Sequence, residues 1–195
     1  MNGFQLRREK KMDDILTAAC ELFSNNEIKS VSIAEIAKKA NVSQVSIYNF
    51  FENKENLAKQ AYFKLMDEIM ADLETLIKSN ISFKEKFEKM VNISLNSADT
   101  LPGRLYTSQL LKDQTVQKFL EEYGKYKTIP LLMKLIEQGK GEDYLDDEIS
   151  SESILLYINS YNGILQSNIS KETRVDLGKL FFYGLFGNRK NTKNI

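Results

Sequence analysis

The chain has 195 residues, a formal net charge of zero, one cysteine and no histidine. Because nucleophilic triads need an imidazole base, the absence of histidine excludes Ser-His-Asp and Cys-His enzymes. It also excludes metal sites built on histidine, and one cysteine excludes sites built on several cysteines. No glycine-rich phosphate-binding motif is present, so we expect neither a metal nor a nucleotide cofactor and predict that the chain is not an enzyme.

Composition favours an all-helical protein of the cytoplasm. Only two prolines and nine glycines interrupt a chain rich in Lys, Glu, Leu and Ile, a balance that favours helices. The lone Cys20 forms no internal disulfide, which suits a reducing compartment. The N-terminus is polar and basic rather than a secretory signal, and no apolar stretch is long enough to cross a bilayer. We therefore expect no membrane association.

The first predicted helix has an apolar stripe with helical spacing, formed by Met12, Ile15, Leu16, Ala19, Leu22 and Phe23. A basic cluster is expected ahead of this first helix and consists of Arg7, Arg8, Lys10 and Lys11. Such a cluster is either a solvated tail or, next to a DNA-binding motif, a set of phosphate contacts. The segment that follows makes us favour phosphate contact.

That segment predicts a helix-turn-helix. Ser32 and Glu35 form a capping box at the start of a second helix. Its apolar stripe consists of Ile33, Ile36, Ala37 and Ala40. Asn41 tolerates the left-handed backbone that ends a helix, and Ser43 is a good N-cap for the next one. A motif of this kind places its second helix in the major groove of DNA.

The same region resembles the TetR-type bacterial repressors. The matching positions, in order, are Ile36-Ala37, Ala40, Val42-Ser43, Ile47-Tyr48, Phe51, Lys54-Glu55 and Leu57. The resemblance covers roughly residues 10–65 and is specific because many positions fit at once. Two departures bear on the operator sequence: Val45 stands where the family often has glycine, and Asn49-Phe50 replaces a frequent aromatic-His pair.

The resemblance implies a set of DNA-contacting residues, namely Ser32, Ser43, Gln44, Val45, Ser46, Tyr48, Asn49 and Lys54. Gln44 can bond bidentately to adenine, and the methyls of Val45 can pack against a thymine methyl. Tyr48 is expected to reach the backbone or a base edge. Ser32 and Ser43 are good caps whether or not DNA is present, so their phosphate contacts remain an open alternative.

We predict an all-α fold of about nine helices in two domains. A helix-turn-helix domain spans residues 1–57, a C-terminal effector and dimerisation domain spans residues 58–188, and residues 189–195 form a tail. The fourth helix begins near Asn53, a good N-cap, and continues from the first domain into the second. A second capping box at Ser82 opens the fifth helix.

Further along the chain, residues 115–138 look helical but contain Pro130, which must kink or split them. The last two helices, over residues 151–166 and 171–186, are apolar on more than one face and so need cover on more than one side. In the resembling family this pair docks on a two-fold mate as a four-helix bundle. The expected homodimer interface consists of Ile158, Tyr161, Leu165, Leu177, Phe181 and Leu185. An ordinary intrachain core is the alternative.

Tyrosines and polar tips are concentrated on the helices that, in the resembling family, enclose an effector cavity. The candidate lining residues are Tyr62, Met66, Tyr106, Gln109, Tyr123, Tyr126, Tyr157, Tyr161 and Asn162. Tyrosine combines an apolar ring with a hydrogen-bonding tip, which suits a small and mostly hydrophobic effector. At helical spacing, however, the same residues also suit a plain core.

Together these features predict a homodimeric, cytoplasmic transcriptional regulator that binds a pseudo-palindromic double-stranded DNA operator. We expect a repressor that a small-molecule effector of unknown identity releases from the DNA. The alternative is a constitutive DNA-binding structural protein of the same fold whose core is filled and binds no ligand.

Overall fold

A computed structural model of the chain describes residues 3–97, 109–165 and 169–186. Within these ranges the secondary structure is entirely helical, which confirms the predicted all-α fold. The α-helices are α1 (Gly3–Asn25), α2 (Ile33–Lys39), α3 (Gln44–Phe51), α4 (Lys54–Lys78), α5 (Phe83–Ser97), α6 (Gln114–Tyr123), α7 (Ile129–Gly141), α8 (Ser151–Leu165) and α9 (Lys171–Phe186). A 3₁₀ turn at Gln109–Lys112 and a π-helical segment at Gly124–Thr128 complete the described part.

The described residues fall into two compact units that divide within α4. Residues 3–69 and 109–116 form the first unit, and residues 70–97, 117–165 and 169–186 form the second. The domain boundary that the motif predicts after residue 57 remains a prediction. The predicted tail, residues 189–195, lies outside the described residues.

The core of the first unit is built on the predicted stripe of α1. Ile15, Ala19 and Phe23 are buried, and they share this core with Ile36 of α2 and Ile47 of α3. The basic cluster was predicted to lie ahead of the first helix. This prediction is wrong, because α1 already begins at Gly3. The cluster therefore belongs to the first three turns of α1.

Helical structure is continuous through the region of Pro130, so the predicted split is absent, and a π-helical segment directly precedes the helix that contains this proline. Pro130 lies in the first turn of α7, where the missing N–H and the fixed φ are both tolerated. The π-helical segment Gly124–Thr128 joins α6 to α7 without a break. This segment was not predicted, because apolar spacing carries no signal for one widened turn.

The second unit is organised around Phe181. Its ring stacks on those of Tyr161 and Tyr157 of α8, with centroids 4.1 and 5.0 Å apart, and on that of Phe87 of α5 at 5.9 Å. Stacked aromatic rings add specific geometry to a large buried apolar area. The helix that carries Phe181 is therefore held in the chain's own core through this residue.

Gly139 allows the end of α7 to approach α5 closely. A Cβ at this position would lie 2.8 Å from a ring carbon of Phe83 and 2.8 Å from a methyl of Leu145. The chain then turns at Asp143, which has φ 60°, and the Gly139 carbonyl accepts hydrogen bonds from the Tyr144 and Leu145 amides. Only a residue without a side chain fits between these neighbours.

Candidate DNA-binding interface

The capping box predicted at the start of α2 is present. The Ser32 amide donates to Glu35 Oε2 over 2.7 Å, and the Glu35 amide donates to Ser32 Oγ over 3.2 Å. The Ser32 hydroxyl donates to the same carboxylate over 2.7 Å. Hydrogen bonds from the Ser32 side chain and then its backbone lower the pKa of Glu35. The box fixes the entry to α2 without any DNA.

The turn between α2 and α3 depends on two residues. Asn41 has φ 53°, a left-handed conformation that asparagine adopts at low cost. The Val42 amide then returns to the Ala37 carbonyl over 3.0 Å. Ser43 caps α3, because its Oγ accepts from the Ser46 amide over 3.1 Å and lies 2.9 Å from Ser46 Oγ. Both predicted local roles, the turn and the cap, are confirmed.

Helix α3 has one face in the core and the other in solvent. Ile47 and Phe51 are buried, whereas Val45 is 67% exposed and Tyr48 is 49% exposed. Gln44 and Asn49, two more of the predicted DNA-contacting residues, are exposed as well, and Ser46 is half-buried. The chemically distinctive side chains of α3 therefore share the solvent face, which suits contact with base edges.

Two residues that follow α3 have roles that residue type and spacing did not predict. Glu52 has φ 64°, a strained value for a residue with a side chain, and its amide donates to the Tyr48 carbonyl over 2.8 Å. Lys54 Nζ donates to the Lys29 carbonyl over 3.1 Å, so this cation supports the loop before α2. The predicted cap at Asn53 is present, since its Oδ1 accepts from the Asn56 amide.

The predicted effector residues have different environments. Tyr62 of the first unit is buried, and so are Tyr123 and Tyr161 of the second, whereas Tyr126 is 69% exposed. Met66 is half-buried and Tyr157 is exposed. Tyr106 and the side chains of Gln109 and Asn162 lie outside the described residues.

Tyr161 is the most distinctive of these residues. Its hydroxyl is buried and has no hydrogen-bond partner among the described residues, and burial raises the pKa of its phenol. A buried hydroxyl without a partner costs free energy, so a group that bonded to it would gain affinity.

The described members of the predicted dimer interface lie in or against the core of the second unit, and the interface itself stays a prediction. Phe181 and Tyr161 are buried within the second unit, and Ile158, Leu177 and Leu185 pack against the same core. The side chain of Leu165 lies outside the described residues. Among the described side chains of α8 and α9, the exposed apolar and aromatic ones are Leu156, Tyr157, Val175, Leu180 and Tyr183. Leu180 is 64% exposed and Tyr183 is 69% exposed, and neither was predicted as an interface residue.

Two further features concern ions and membranes. Within the described ranges, no group of three or more acidic, cysteine or histidine side chains is arranged to hold a metal ion. No helix in that part of the chain combines the length and the apolar character that a membrane span needs.

Comparison with known proteins finds one family model that matches the helix-turn-helix region and several proteins that match most of the chain. Residues 15–61 match the family model described as "Bacterial regulatory proteins, tetR family". The fatty acid metabolism regulator protein of Bacillus subtilis (strain 168) is 26% identical over 155 residues, which cover 76% of this chain and 79% of that protein.

Two solved structures share the fold over most of the chain. The fatty acid degradation regulator FadR from Bacillus halodurans superimposes with a TM-score of 0.63 at 21% identity, covering 91% of this chain and 95% of that one. The regulator FadR from Bacillus subtilis in complex with stearoyl-CoA superimposes with a TM-score of 0.58 at 17% identity, covering 88% and 98% of the two chains.

Proposed function

This chain belongs to the TetR family of bacterial transcriptional regulators, and we propose that it acts in the cytoplasm as a homodimeric repressor released by a small molecule. The exposed face of α3 is the observation that carries the DNA-binding part of this proposal. Gln44, Val45 and Tyr48 point to solvent while Ile47 and Phe51 anchor the helix in the core. A helix presented in this way can enter the major groove with its first residues at the base edges.

Each exposed side chain of α3 has a chemical task in this proposal. The Gln44 amide bonds to adenine N6 and N7, and the Val45 methyls pack against a thymine methyl. Ser43 places its hydroxyl near the N-terminus of α3, where phosphate oxygens bind favourably. The Ser32 hydroxyl donates to Glu35 and would have to exchange that bond to contact a phosphate. Tyr48 and Asn49 supply further contacts to the backbone or to base edges. Lys54 contributes positive charge while its Nζ supports the loop before α2.

Dimerisation through α8 and α9 supplies the second half-site contact. The exposed apolar side chains of these helices favour burial against a second copy, because an apolar surface of this kind is costly to leave in water. A two-fold dimer brings two recognition helices to successive major grooves, roughly one helical turn apart, and so selects a pseudo-palindromic operator.

We propose a long-chain acyl thioester as the effector. The name of the Bacillus subtilis relative, a fatty acid metabolism regulator, supports this class, and so does the stearoyl-CoA bound to the related FadR. Binding would favour a conformation in which the recognition helices no longer match successive grooves. Helix α4, which contributes residues to both units, is the continuous element available to couple the effector to the DNA.

The test starts with selection of DNA duplexes from a random pool by the purified full-length chain. We expect the selected sequences to contain two inverted half-sites, and we expect stearoyl-CoA to release the selected duplex when titrated. Coenzyme A and stearate are the matched controls, because each supplies one part of the thioester. Selected sites without two-fold symmetry would contradict the dimeric repressor.

The effector part is tested separately by thermal melting. Stearoyl-CoA should raise the melting temperature of the chain through binding to the native state. If no acyl thioester or fatty acid shifts melting or releases DNA, the constitutive DNA-binding protein of the same fold is the better explanation.

A further inference from the structure

The first turns of α1 carry a dense positive charge in solvent. Every residue from Gly3 to Lys11 is exposed, and this segment, here called the basic arm, contains four basic residues and one acidic residue. Arg7 and Lys11 are four residues apart, and Arg8 and Lys11 are three apart, so like charges repel along the helix surface. Among the described residues, the ion pairs of the chain involve none of these cations. An anionic partner would relieve this repulsion.

The basic arm contacts the recognition helix through a pair of side chains. The guanidinium carbon of Arg8 lies 5.2 Å from the centroid of the Phe50 ring, within the range of a cation–π interaction. Phe50 occupies the last turn of α3 and its ring centroid lies 6.1 Å from that of Phe51, which is buried in the core. Phe50 therefore lies between the exposed Arg8 side chain and the buried core of the helix-turn-helix.

The aromatic partner of Arg8 carries no titratable group. A phenyl ring attracts the guanidinium at every pH. The guanidinium keeps its N–H donors in its own plane, where phosphate oxygens can accept them.

We propose that the basic arm is a second DNA-binding element, which binds backbone phosphates beside the half-site read by α3. Within the arm, Arg8 is the phosphate-binding residue and Phe50 is the positioning residue, because its ring holds the Arg8 guanidinium beside the recognition helix. This proposal rests on the proposed function, since it requires the same duplex to contact α3. It adds a contact that carries affinity rather than base preference.

The salt dependence of DNA binding tests the proposal. The logarithm of the binding constant falls linearly as the logarithm of the salt concentration rises, and each neutralised phosphate adds about 0.9 to the magnitude of this slope on duplex DNA. Below, the word slope means this magnitude. On a labelled duplex of mixed sequence, Arg8→Gln should lower this slope by about 0.9 for each bound protomer. Phe50→Leu removes no charge, yet it should lower the slope in the same direction, because Arg8 loses its support. Phe50→Tyr keeps the ring and should keep the slope.

Two controls separate positioning from general loss of charge. Lys89→Gln removes an exposed cation of α5 in the second unit and should leave the slope unchanged. The double variant Arg8→Gln with Phe50→Leu should lose no more than Arg8→Gln alone, because both changes remove one contact. Arg8→Gln alters only an exposed side chain, so its result stands whatever the folding of the Phe50→Leu variant.

The contrary outcomes are distinct. The proposal for the basic arm is overturned if Arg8→Gln leaves the slope unchanged. It is also overturned if Arg8→Gln lowers the slope while a folded Phe50→Leu variant leaves it unchanged. The proposed function is judged separately by whether Gln44→Ala weakens binding to the selected operator. A chain that binds no duplex at all overturns both proposals.

Discussion

Lys86 Nζ donates a 2.6 Å hydrogen bond to the carbonyl oxygen of Ile77, in the last turn of α4. The side chain of Lys86 is only 3% exposed, and its second partner is Gln138 Oε1 of α7 at 2.8 Å. Gln138 also donates to the carboxylate of Glu142, which accepts from the Phe83 amide at the start of α5. A buried cation is tolerated when its donors are satisfied, and here it joins three helices of the second unit.

Lys86→Met should destabilise the chain by about 1–3 kcal/mol, because the Ile77 carbonyl and the Gln138 amide oxygen lose their donor. Urea unfolding of the full chain measures the effect. Lys84→Met is the matched control, since Lys84 is exposed and its pair with Glu88 is 4.0 Å long. Equal stability of the two variants would show that the network contributes nothing.

Gly139→Ala should destabilise the chain by roughly 1–3 kcal/mol through overpacking against Phe83 and Leu145. Gly141→Ala provides the control two residues along, because a Cβ there meets nothing within 4 Å. That change should leave stability unchanged or raise it by about 0.4–1 kcal/mol, since alanine restricts the unfolded chain. Thermal melting of both variants gives the comparison, and a stabilised Gly139→Ala variant would refute the close approach.

Gln44→Ala should cost about 1–3 kcal/mol of binding free energy on the selected operator and relax the preference at one base pair per half-site. Gln60→Ala, a change at an exposed position of α4, should have no such effect. Competition titrations with single-base operator variants measure both. Should Gln44→Ala weaken cognate and mixed-sequence DNA equally, Gln44 positions the helix rather than reading a base.

Leu180→Glu combined with Tyr183→Glu should convert the proposed dimer to a monomer, because two charges would enter the proposed apolar interface. Both side chains are exposed in the protomer, so its fold should persist. Sedimentation at micromolar concentration measures the association state, and Ile149→Glu, at an exposed apolar position outside α8 and α9, is the control. A wild-type monomer at that concentration would reject the interface.

Cys20 should react slowly with thiol reagents. Burial, followed by the charge of Glu68, raises the pKa of its thiol from 9.0 to about 11. The reactive thiolate is therefore about one hundredfold scarcer in the folded chain below pH 9. Between about pH 9 and pH 11 the unfolded chain loses the thiol proton that the folded chain keeps. The contribution of this group to the free energy of unfolding is therefore complete below pH 9 and declines as the pH rises to about 11. Reaction rates in native buffer and in urea measure the difference.

Local features of the fold were predictable because they depend on neighbours in sequence. The caps at Ser32 and Ser43 and the left-handed Asn41 each follow from residue type and spacing within one turn. The position of Pro130 in the first turn of α7 likewise follows from its missing N–H. These features determine the solvent face of α3, so the candidate DNA-binding face could be outlined from the sequence.

Features that depend on distant partners were not predictable. The apolar pattern of α9 gives no indication that Phe181 is buried while Leu180 next to it is exposed, because α9 is apolar on more than one face. Lys54 was expected to bind phosphate, but its contact with the Lys29 carbonyl depends on how a loop closes. The contact between Arg8 and Phe50 likewise joins residues 42 positions apart, which no local spacing signals.

The exposed Val45 methyls and Tyr48 ring have a calorimetric consequence for recognition. Water around apolar groups raises the heat capacity of the free protein, and covering these groups with DNA removes that contribution. Binding at a site where base edges cover both side chains should therefore become more exothermic as temperature rises. Binding through phosphates alone leaves them in water and should show a much smaller dependence. The enthalpies of operator and mixed-sequence DNA should consequently diverge on warming.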